Sequence, residues 1–294
     1  MYGGAGISRS AEFRGAHLRR RRVTSALGVI LSSLCAGIAA AVLLVILAHV
    51  VSQGAGALNG AFLTHVPRPV GVPGGGMANG IVGSALIISI ATLVAMPIGT
   101  LCGIYLGLVG RGPFAEVARF LVDVLAGVPS IAIGLFAYTV LVAPIRHFSG
   151  FSASFAFAIL MLPLIIRITE ESMLRVPALI REGALALGLS FYASTMHVVL
   201  PVARPSIITG LLLAIARVAG ETAPLLFTAF GSQFWELNPA NPMAVLSLQI
   251  FNYAISPYQD WHAQAWAGSV VLIFTVLILN VVARFALRPR FGKR

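Results

Sequence analysis

The chain has 294 residues, of which 58% are hydrophobic and only 10% are charged. Soluble globular proteins contain about 25% charged residues, so this composition excludes most classes of soluble enzyme and binding domain. It also excludes disorder, because so apolar a chain cannot remain solvated. Mean hydropathy is +0.94. This composition predicts a protein embedded in a lipid bilayer.

The net charge of +11 arises from 20 Lys+Arg against 9 Asp+Glu. The basic residues concentrate at the two termini beside apolar runs, which indicates contact with an anionic membrane surface and not with nucleic acid. The one lysine in the sequence, Lys293, is followed by Arg294, whereas a P-loop needs a lysine before Ser or Thr. The sequence therefore lacks that ATP-binding loop, and energy for any active transport has to come from a partner or an ion gradient.

Six apolar stretches are each long enough to cross a hydrocarbon layer, which takes about 20 helical residues. They cover residues 23–51, 81–109, 120–145, 152–171, 203–230 and 265–285. The pattern predicts an all-α integral membrane protein with six transmembrane helices.

An even number of spans places both termini on one side of the membrane. Most basic residues fall at the termini and in loops on that side, against Arg68 and Arg146 on the other, so the positive-inside rule makes that side the cytoplasm. We therefore expect a basic cytoplasmic tail (1–22), a six-helix membrane domain (23–287) and a second basic cytoplasmic tail (288–294).

The most informative cytoplasmic loop is 177–201, which reads PALIREGALALGLSFYASTMHVVLP. Pro177 suits the first turn of a helix, and Gly188 suits the end of that helix. The pattern predicts two short helices joined at Gly188. Held at the inner membrane face, they would form a rigid protrusion suited to a cleft on a cytoplasmic partner.

Within this loop, the spacing from Glu182-Gly183-Ala184 through Gly188 to the final Leu-Pro resembles the EAA loop of ABC importer permeases, with Gly183 where the family usually has alanine. The resemblance implies that the loop supplies a coupling helix to a separate ATPase subunit. ATP and magnesium would then be used by that partner, and this chain would bind no cofactor and catalyse no reaction. The residues implied in ATPase coupling are Glu182, Gly183, Ala184, Gly188, Leu200 and Pro201.

The fifth span contains two charges, Arg217 and Glu221, whose spacing predicts that they share one helical face. Each charge at the centre of a span costs about 2.5–3.5 kcal/mol, so both are expected to face the helix bundle. Arginine can hold a phosphate-like oxyanion with two parallel hydrogen bonds. A static ion pair that makes the helix insertable explains the two residues equally well.

The sequence around them, RVAGETAPL at 217–225, resembles a segment of phosphate importer permeases of the PstA type, within the binding-protein-dependent inner-membrane components. Segments at 75–84, 127–136 and 162–171 agree with the same family. The resemblance implies the MetI-like type I permease architecture. It also implies a role in phosphate passage for Arg217 and Glu221, and we assign Thr222 to the same pathway because its hydroxyl can donate a hydrogen bond.

This resemblance implies a bacterial multi-pass inner-membrane subunit that forms half of a pathway for inorganic phosphate. The expected partners are a homologous second permease, a dimer of ATP-binding subunits, an extracytoplasmic phosphate-binding protein and the lipid bilayer. Three alternatives remain open at this point: an ABC permease for sulfate, molybdate or phosphonate, a gradient-driven secondary transporter, and a membrane scaffold that transports nothing. Of the other charges, Arg167 is expected to pair with Glu170 or Glu171, and Asp123 to lie at the inner end of the third span.

Overall fold

The computed structural model describes residues 5–286, and the side chains of residues 24–282. The chain divides into two compact units between Ser52 and Gln53. Within the described residues it consists of helices and connecting loops, with one isolated β-bridge between Phe230 and Met243. The predicted all-α class is confirmed.

The first unit is formed by helix α1 (Ala5–Gly54), which continues two residues past the division. Its apolar portion, Thr24–Gly54, is long and hydrophobic enough to cross a membrane, in agreement with the first predicted span. Residues 5–22 of the predicted N-terminal tail belong to α1. The predicted C-terminal tail, 288–294, lies outside the described residues.

The second unit begins with helices that include the second, third and fourth spans. A π-helical segment (Tyr138–Val142) joins two of them, so that they form one continuous stretch. The helices are α2 (Gly60–Thr64), α3 (Ala78–Leu108), α4 (Pro113–Gly127), α5 (Ser130–Ala137), α6 (Ala143–Ile145) and α7 (Gly150–Leu174).

The rest of the second unit contains the predicted docking loop and the last two spans. A second π-helical segment (Thr195–Val199) leads directly into the fifth span. The helices are α8 (Ala178–Ala186), α9 (Phe191–Ser194), α10 (Leu200–Ala219), α11 (Leu225–Thr228), α12 (Leu246–Ala254) and α13 (Gln259–Ala286).

Five helical stretches of the described residues are individually able to span a membrane, and the pair Pro113–Gly127 and Ser130–Ile145 qualifies as a sixth when taken together. The two members of that pair meet at an angle of 100°. The third predicted span, 120–145, is therefore formed by two helices with a sharp bend between them. The predicted fifth span is also too long at its C-terminal end, because its helix stops at Ala219 and not at residue 230.

Helices α3 and α7 run side by side in the same direction. Near the start of α7, Ser154 donates a hydrogen bond to the carbonyl of Ile87 in the first half of α3 (3.1 Å). At the other end, Gly107 of α3 lies against Met173 of α7. Two neighbouring spans can be parallel only if the chain between them crosses the membrane an odd number of times. The bent pair of helices therefore makes one crossing, and the count is six spans as predicted.

A stripe of mostly small residues at every fourth position of α3 allows this close approach. Small side chains at such spacing let two membrane helices come near each other and gain van der Waals contact. This spacing of small residues is visible in the sequence and is a signal that could have predicted the contact. The stripe consists of Ile87, Ala91, Ala95, Gly99, Gly103 and Gly107, and all but the last are buried.

Replacing a glycine of the stripe should force α3 and α7 apart. A Cβ at Gly103 would lie 2.5 Å from the Thr169 Cβ and 2.7 Å from the Ile166 carbonyl oxygen. We expect Gly103→Ala to destabilise the purified chain by about 1–3 kcal/mol, the usual cost of overpacking, seen as a lower apparent melting temperature in detergent. Gly37→Ala is the matched control, since a Cβ there meets nothing within 4 Å. Equal melting temperatures for the two variants would contradict the packing argument.

Candidate functional site

The first feature of the candidate site is the break between α4 and α5. Val128 (φ −66°, ψ 129°) and Pro129 (φ −57°, ψ 135°) both leave the helical region of backbone space. Proline disfavours a helical conformation in the residue before it and has no N–H to continue the helical ladder. The bend in the third span therefore follows from Pro129.

The second feature is the end of α10. Its last turn is closed by short-range bonds from the Gly220 N–H to the Arg217 carbonyl (3.3 Å) and from the Glu221 N–H to the Val218 carbonyl (3.1 Å). Residues 221–224 are not helical, and α11 begins only after Pro224. The helix thus ends between Arg217 and Glu221, and the prediction that they share one helical face is wrong. The apolar composition concealed this stop, while Gly220 and Pro224 are its physical cause.

The two interruptions pack directly against each other. A Cβ at Gly134 of α5 would lie 2.5 Å from the Cα of Pro224, so only glycine permits this approach. Ile133, Val218 and Leu225 are buried in the same apolar cluster around this contact. Two segments about 90 residues apart in sequence therefore form one structural unit, which we call the paired breaks (residues 128–134 and 220–225).

Arg217 is exposed at the end of α10, between the buried residues Ala216 and Val218. Among the described residues, its guanidinium has no hydrogen bond or ion pair. Glu221 is half-buried, and its backbone carbonyl accepts a hydrogen bond from the Ser247 hydroxyl (2.8 Å). The ion pair that the spacing suggested is thus not formed. Thr222 is also half-buried, so the three predicted pathway residues lie together at the end of α10.

The predicted docking loop has the expected geometry. Helix α8 ends at Ala186 with Leu187 as its C-cap, and Gly188 takes a left-handed conformation (φ +87°) that favours glycine. The Leu189 N–H donates back to the Ala184 carbonyl (3.3 Å), as in a glycine-terminated helix. Ser190 then caps α9 by accepting a hydrogen bond from the Ala193 N–H (3.2 Å). The prediction of two short helices joined at Gly188 is confirmed.

The two faces of this loop differ. Ala184 is buried against the bundle, whereas Glu182 and Gly183 are exposed. Large apolar side chains are also exposed: Leu179 by 81%, Leu187 by 86% and Tyr192 by 69%. Exposed apolar side chains at these positions are available for contact with a protein or with lipid. Leu200 and Pro201, at the end of the predicted motif, form the first turn of α10.

Four charged side chains fasten α4 to α7. The Arg119 Nε atom lies 2.6 Å from one carboxylate oxygen of Glu170, and the Arg167 Nη1 atom lies 3.1 Å from the other. Arg167 also donates from Nε to Asp123 (3.0 Å). The Glu170 side chain is only 5% exposed. We call these four residues the α4–α7 charge cluster.

The predicted pairing of Arg167 with Glu170 or Glu171 is formed with Glu170. The part played by Arg119 was not predicted, although Arg119 and Asp123 are one turn apart on α4 and Arg167 and Glu170 one turn apart on α7. Matching pairs of opposite charges on two helices were the available signal.

Arg119 extends the charge cluster to a third helix. Its Nη2 atom donates to the carbonyls of Leu106 (2.8 Å) and Gly110 (3.2 Å) at the C-terminal end of α3. A cation suits this position because the last carbonyls of a helix carry partial negative charge. One side chain therefore links the ends of α3, α4 and α7.

The described residues include no group of three or more His, Cys, Asp or Glu side chains placed to hold a metal ion. Cys35 and Cys102 are free thiols. The arrangement described above consists of a free cation beside two packed helix breaks, and of an exposed loop at the start of α10.

Comparison with known families decides the classification. Residues 99–288 match the model of the binding-protein-dependent transport system inner membrane components. The chain belongs to this family. Its members are subunits of ABC transporters and not enzymes in themselves, and the chain is a multi-pass inner-membrane protein.

Two relatives from bacteria share much of the sequence. The phosphate transport system permease protein PstA of Yersinia pestis is 42% identical over 240 residues, which is 81% of each chain. The protein of the same name from Haemophilus influenzae is 46% identical over 181 residues, which is 61% of this chain and 64% of the relative.

Solved structures confirm the permease architecture. The MetNI methionine ABC transporter in an inward-facing conformation superposes with a TM-score of 0.58 at 15% identity, covering 72% of this chain and 94% of that chain. An amino acid ABC transporter gives a TM-score of 0.52 at 19% identity, with the same two coverages. At these identities the likeness shows the fold, and the fold is the MetI-like one that the sequence predicted.

The contribution of the α4–α7 charge cluster to stability can be tested by comparing substitutions at the neighbouring residues Glu170 and Glu171. Glu170→Gln leaves two arginines without their shared carboxylate, and breaking a buried pair costs about 3 kcal/mol. Glu171→Gln removes an exposed one-turn pair with Arg175, which is worth about 0.5 kcal/mol or less. We expect a clearly lower apparent melting temperature for Glu170→Gln alone, measured on the purified chain in detergent. Equal effects of the two changes would show that the cluster does not hold α4 to α7.

Proposed function

We propose that this chain is a permease subunit of an ATP-driven importer of inorganic phosphate, in which it forms half of the translocation pathway. The observation that carries the proposal is the exposed and unpaired guanidinium of Arg217 beside the paired breaks. The phosphate transport permeases of Yersinia and Haemophilus, to which the chain is similar, support phosphate as the cargo over other oxyanions.

The chemistry of the three pathway residues suits phosphate. The guanidinium group stays charged when it is desolvated and can hold two oxygens of an oxyanion at once. Phosphate retains at least one O–H group near neutral pH, and the carboxylate of Glu221 can accept a hydrogen bond from it. Fully ionised sulfate has no such donor and would only be repelled by Glu221. The Thr222 hydroxyl can donate to a remaining phosphate oxygen.

For the rest of the assembly, we propose a homologous second permease, two ATP-binding subunits and an extracytoplasmic phosphate-binding protein. ATP and magnesium bind to the ATPase subunits, while this chain binds no cofactor and no nucleic acid. Both termini lie in the cytoplasm, as the distribution of arginines favours. The exposed side of α8, with Glu182 and Gly183, docks into a groove of the ATPase.

The proposed mechanism is alternating access. Closure of the ATPase dimer moves α8, and the movement passes through α9 and the π-helical turn into α10, because these elements follow one another without a loop beyond residue 190. Arg217 lies at the far end of α10 from the docking loop. Movement of α10 therefore changes the position of the guanidinium relative to the paired breaks, and phosphate handed over from outside can pass.

Removing the charge of Arg217 should abolish transport. Loss of charged hydrogen bonds to the anion, each worth about 1.5–3 kcal/mol, should lower uptake of labelled phosphate by Arg217→Gln more than about tenfold in proteoliposomes containing the assembled transporter. Arg204→Gln is the control, because Arg204 is also exposed on α10 but lies near the docking loop. Unchanged uptake by an assembled Arg217→Gln complex would exclude a role in the pathway. If excess sulfate, but not arsenate, blocked phosphate uptake, the result would indicate that the transported anion is sulfate or a similar oxyanion and not phosphate.

Gly188 allows a test of ATPase coupling at a single position. A β-branched residue is strained at φ +87°, whereas Asn tolerates the left-handed region well. We expect Gly188→Val to lower co-purification of the ATPase and phosphate uptake together, and Gly188→Asn to retain most of both. A Gly188→Val complex that keeps its ATPase and its uptake would contradict the docking assignment. Space is not the reason for the difference, since a Cβ at Gly188 meets nothing within 4 Å.

A further inference from the structure

A cavity lined by arginines lies beside the docking loop, apart from the site around Arg217. This open cavity of about 290 Å³ is lined by the ends of α3 and α7, the α3–α4 loop, α4 and the start of α8. Three arginines from three elements line it: Arg111 in the loop, Arg119 on α4 and Arg181 on α8. None of the described residues that line the cavity is an aspartate or a glutamate.

Two of these three cations are not neutralised. Arg119 is bound to Glu170 in the charge cluster. Arg111 and Arg181, in contrast, have no hydrogen bond or ion pair with other described residues. Two like charges that face one cavity repel each other, and an anion between them would relieve the repulsion.

Arg181 lies on the side of α8 that faces the bundle. It is half-buried and one turn before the buried Ala184, whereas Leu179 and Glu182 on the other side are exposed. Arg181 is therefore turned away from the surface proposed for ATPase docking. Contact with the ATPase therefore does not account for the positive charge of Arg181 at this position.

The cavity is separate from the proposed phosphate pathway. Met173 lines the cavity and belongs to the same apolar cluster as Leu200 at the start of α10, whereas Arg217 is 17 residues further along that helix than Leu200. At 1.5 Å per residue this is about 25 Å. An anion in the cavity therefore has no contact with Arg217.

We propose that this cavity binds a phosphate group, from either an anionic phospholipid of the inner leaflet or free inorganic phosphate. Arginine forks suit both sources, and basic pockets between membrane helices near the cytoplasmic surface commonly hold lipid head groups. A bound phosphate group would join Arg181 of α8 to Arg111, and so fix the docking helix to the end of α3. The inner-leaflet position rests on the orientation given under the proposed function.

The lipid source is tested on the complete transporter by native mass spectrometry, with phosphatidylglycerol competing against phosphatidylcholine. One arginine near a membrane surface contributes about fivefold in affinity for anionic lipid. We therefore expect the double variant Arg111→Gln/Arg181→Gln to lose about 25-fold in preference for phosphatidylglycerol. Arg175→Gln/Arg204→Gln is the matched control, because it removes the same net charge from exposed positions that do not line the cavity.

The free-phosphate source is tested in nanodiscs of phosphatidylcholine alone. Every transporter in this arm also carries Arg217→Gln, so that the pathway does not contribute. Inorganic phosphate should raise the apparent melting temperature of the complex with intact Arg111 and Arg181, and of the matched control, but not of the double variant. The proposal is overturned if the double variant equals the control in both arms. Phosphate uptake is measured separately on the wild-type transporter, so that the two proposals can fail independently. A wild-type transporter without uptake would contradict the proposed function but would not change the result on binding in the cavity.

Discussion

The contact between Gly134 and Pro224 determines how the rest of the bundle can be arranged. Within hydrocarbon, every backbone group freed by a helix break must find a partner inside the protein, so interrupted helices survive only where protein covers them. Here two interruptions cover each other, and the absence of a side chain at Gly134 permits it. The close approach also fixes where α10 ends. Arg217 is consequently at a helix terminus, beside irregular backbone, and not in the middle of a straight span.

Helices α3, α4 and α7 of the second unit support this contact from one side. The parallel pair α3 and α7 is held closely by its stripe of small residues, and the charge cluster fastens α4 to that pair. The bend at Pro129 then turns α5 toward Pro224. Alternating access needs rigid helices on one side of the paired breaks and a docking loop on the other. Movement of the docking loop reaches the pathway only if the chain bends at a few hinge positions.

Local features of the sequence were sufficient for the spans and the docking loop. Apolar length gives the six crossings, and Gly188 ends α8 through a conformational preference that does not depend on distant contacts. The C-terminal end of the fifth span was mispredicted because a hydropathy window does not register the helix stop at Gly220 or the missing N–H of Pro224. The partner of Arg119 depends on tertiary packing between α4 and α7, and a single sequence gives no register for that packing.

The exposure of Arg217 argues that this chain carries only half of a site. On α10 it is one turn from Leu213, which is also exposed, by 43%. A helix face that carries both an apolar side chain and an unpaired cation is unstable in contact with lipid, since a charge within the hydrocarbon layer is costly. A second polar surface opposite this face removes that cost by enclosing an aqueous path. Under the proposed function, the free guanidinium would form one wall of a pathway whose other wall is the second permease subunit.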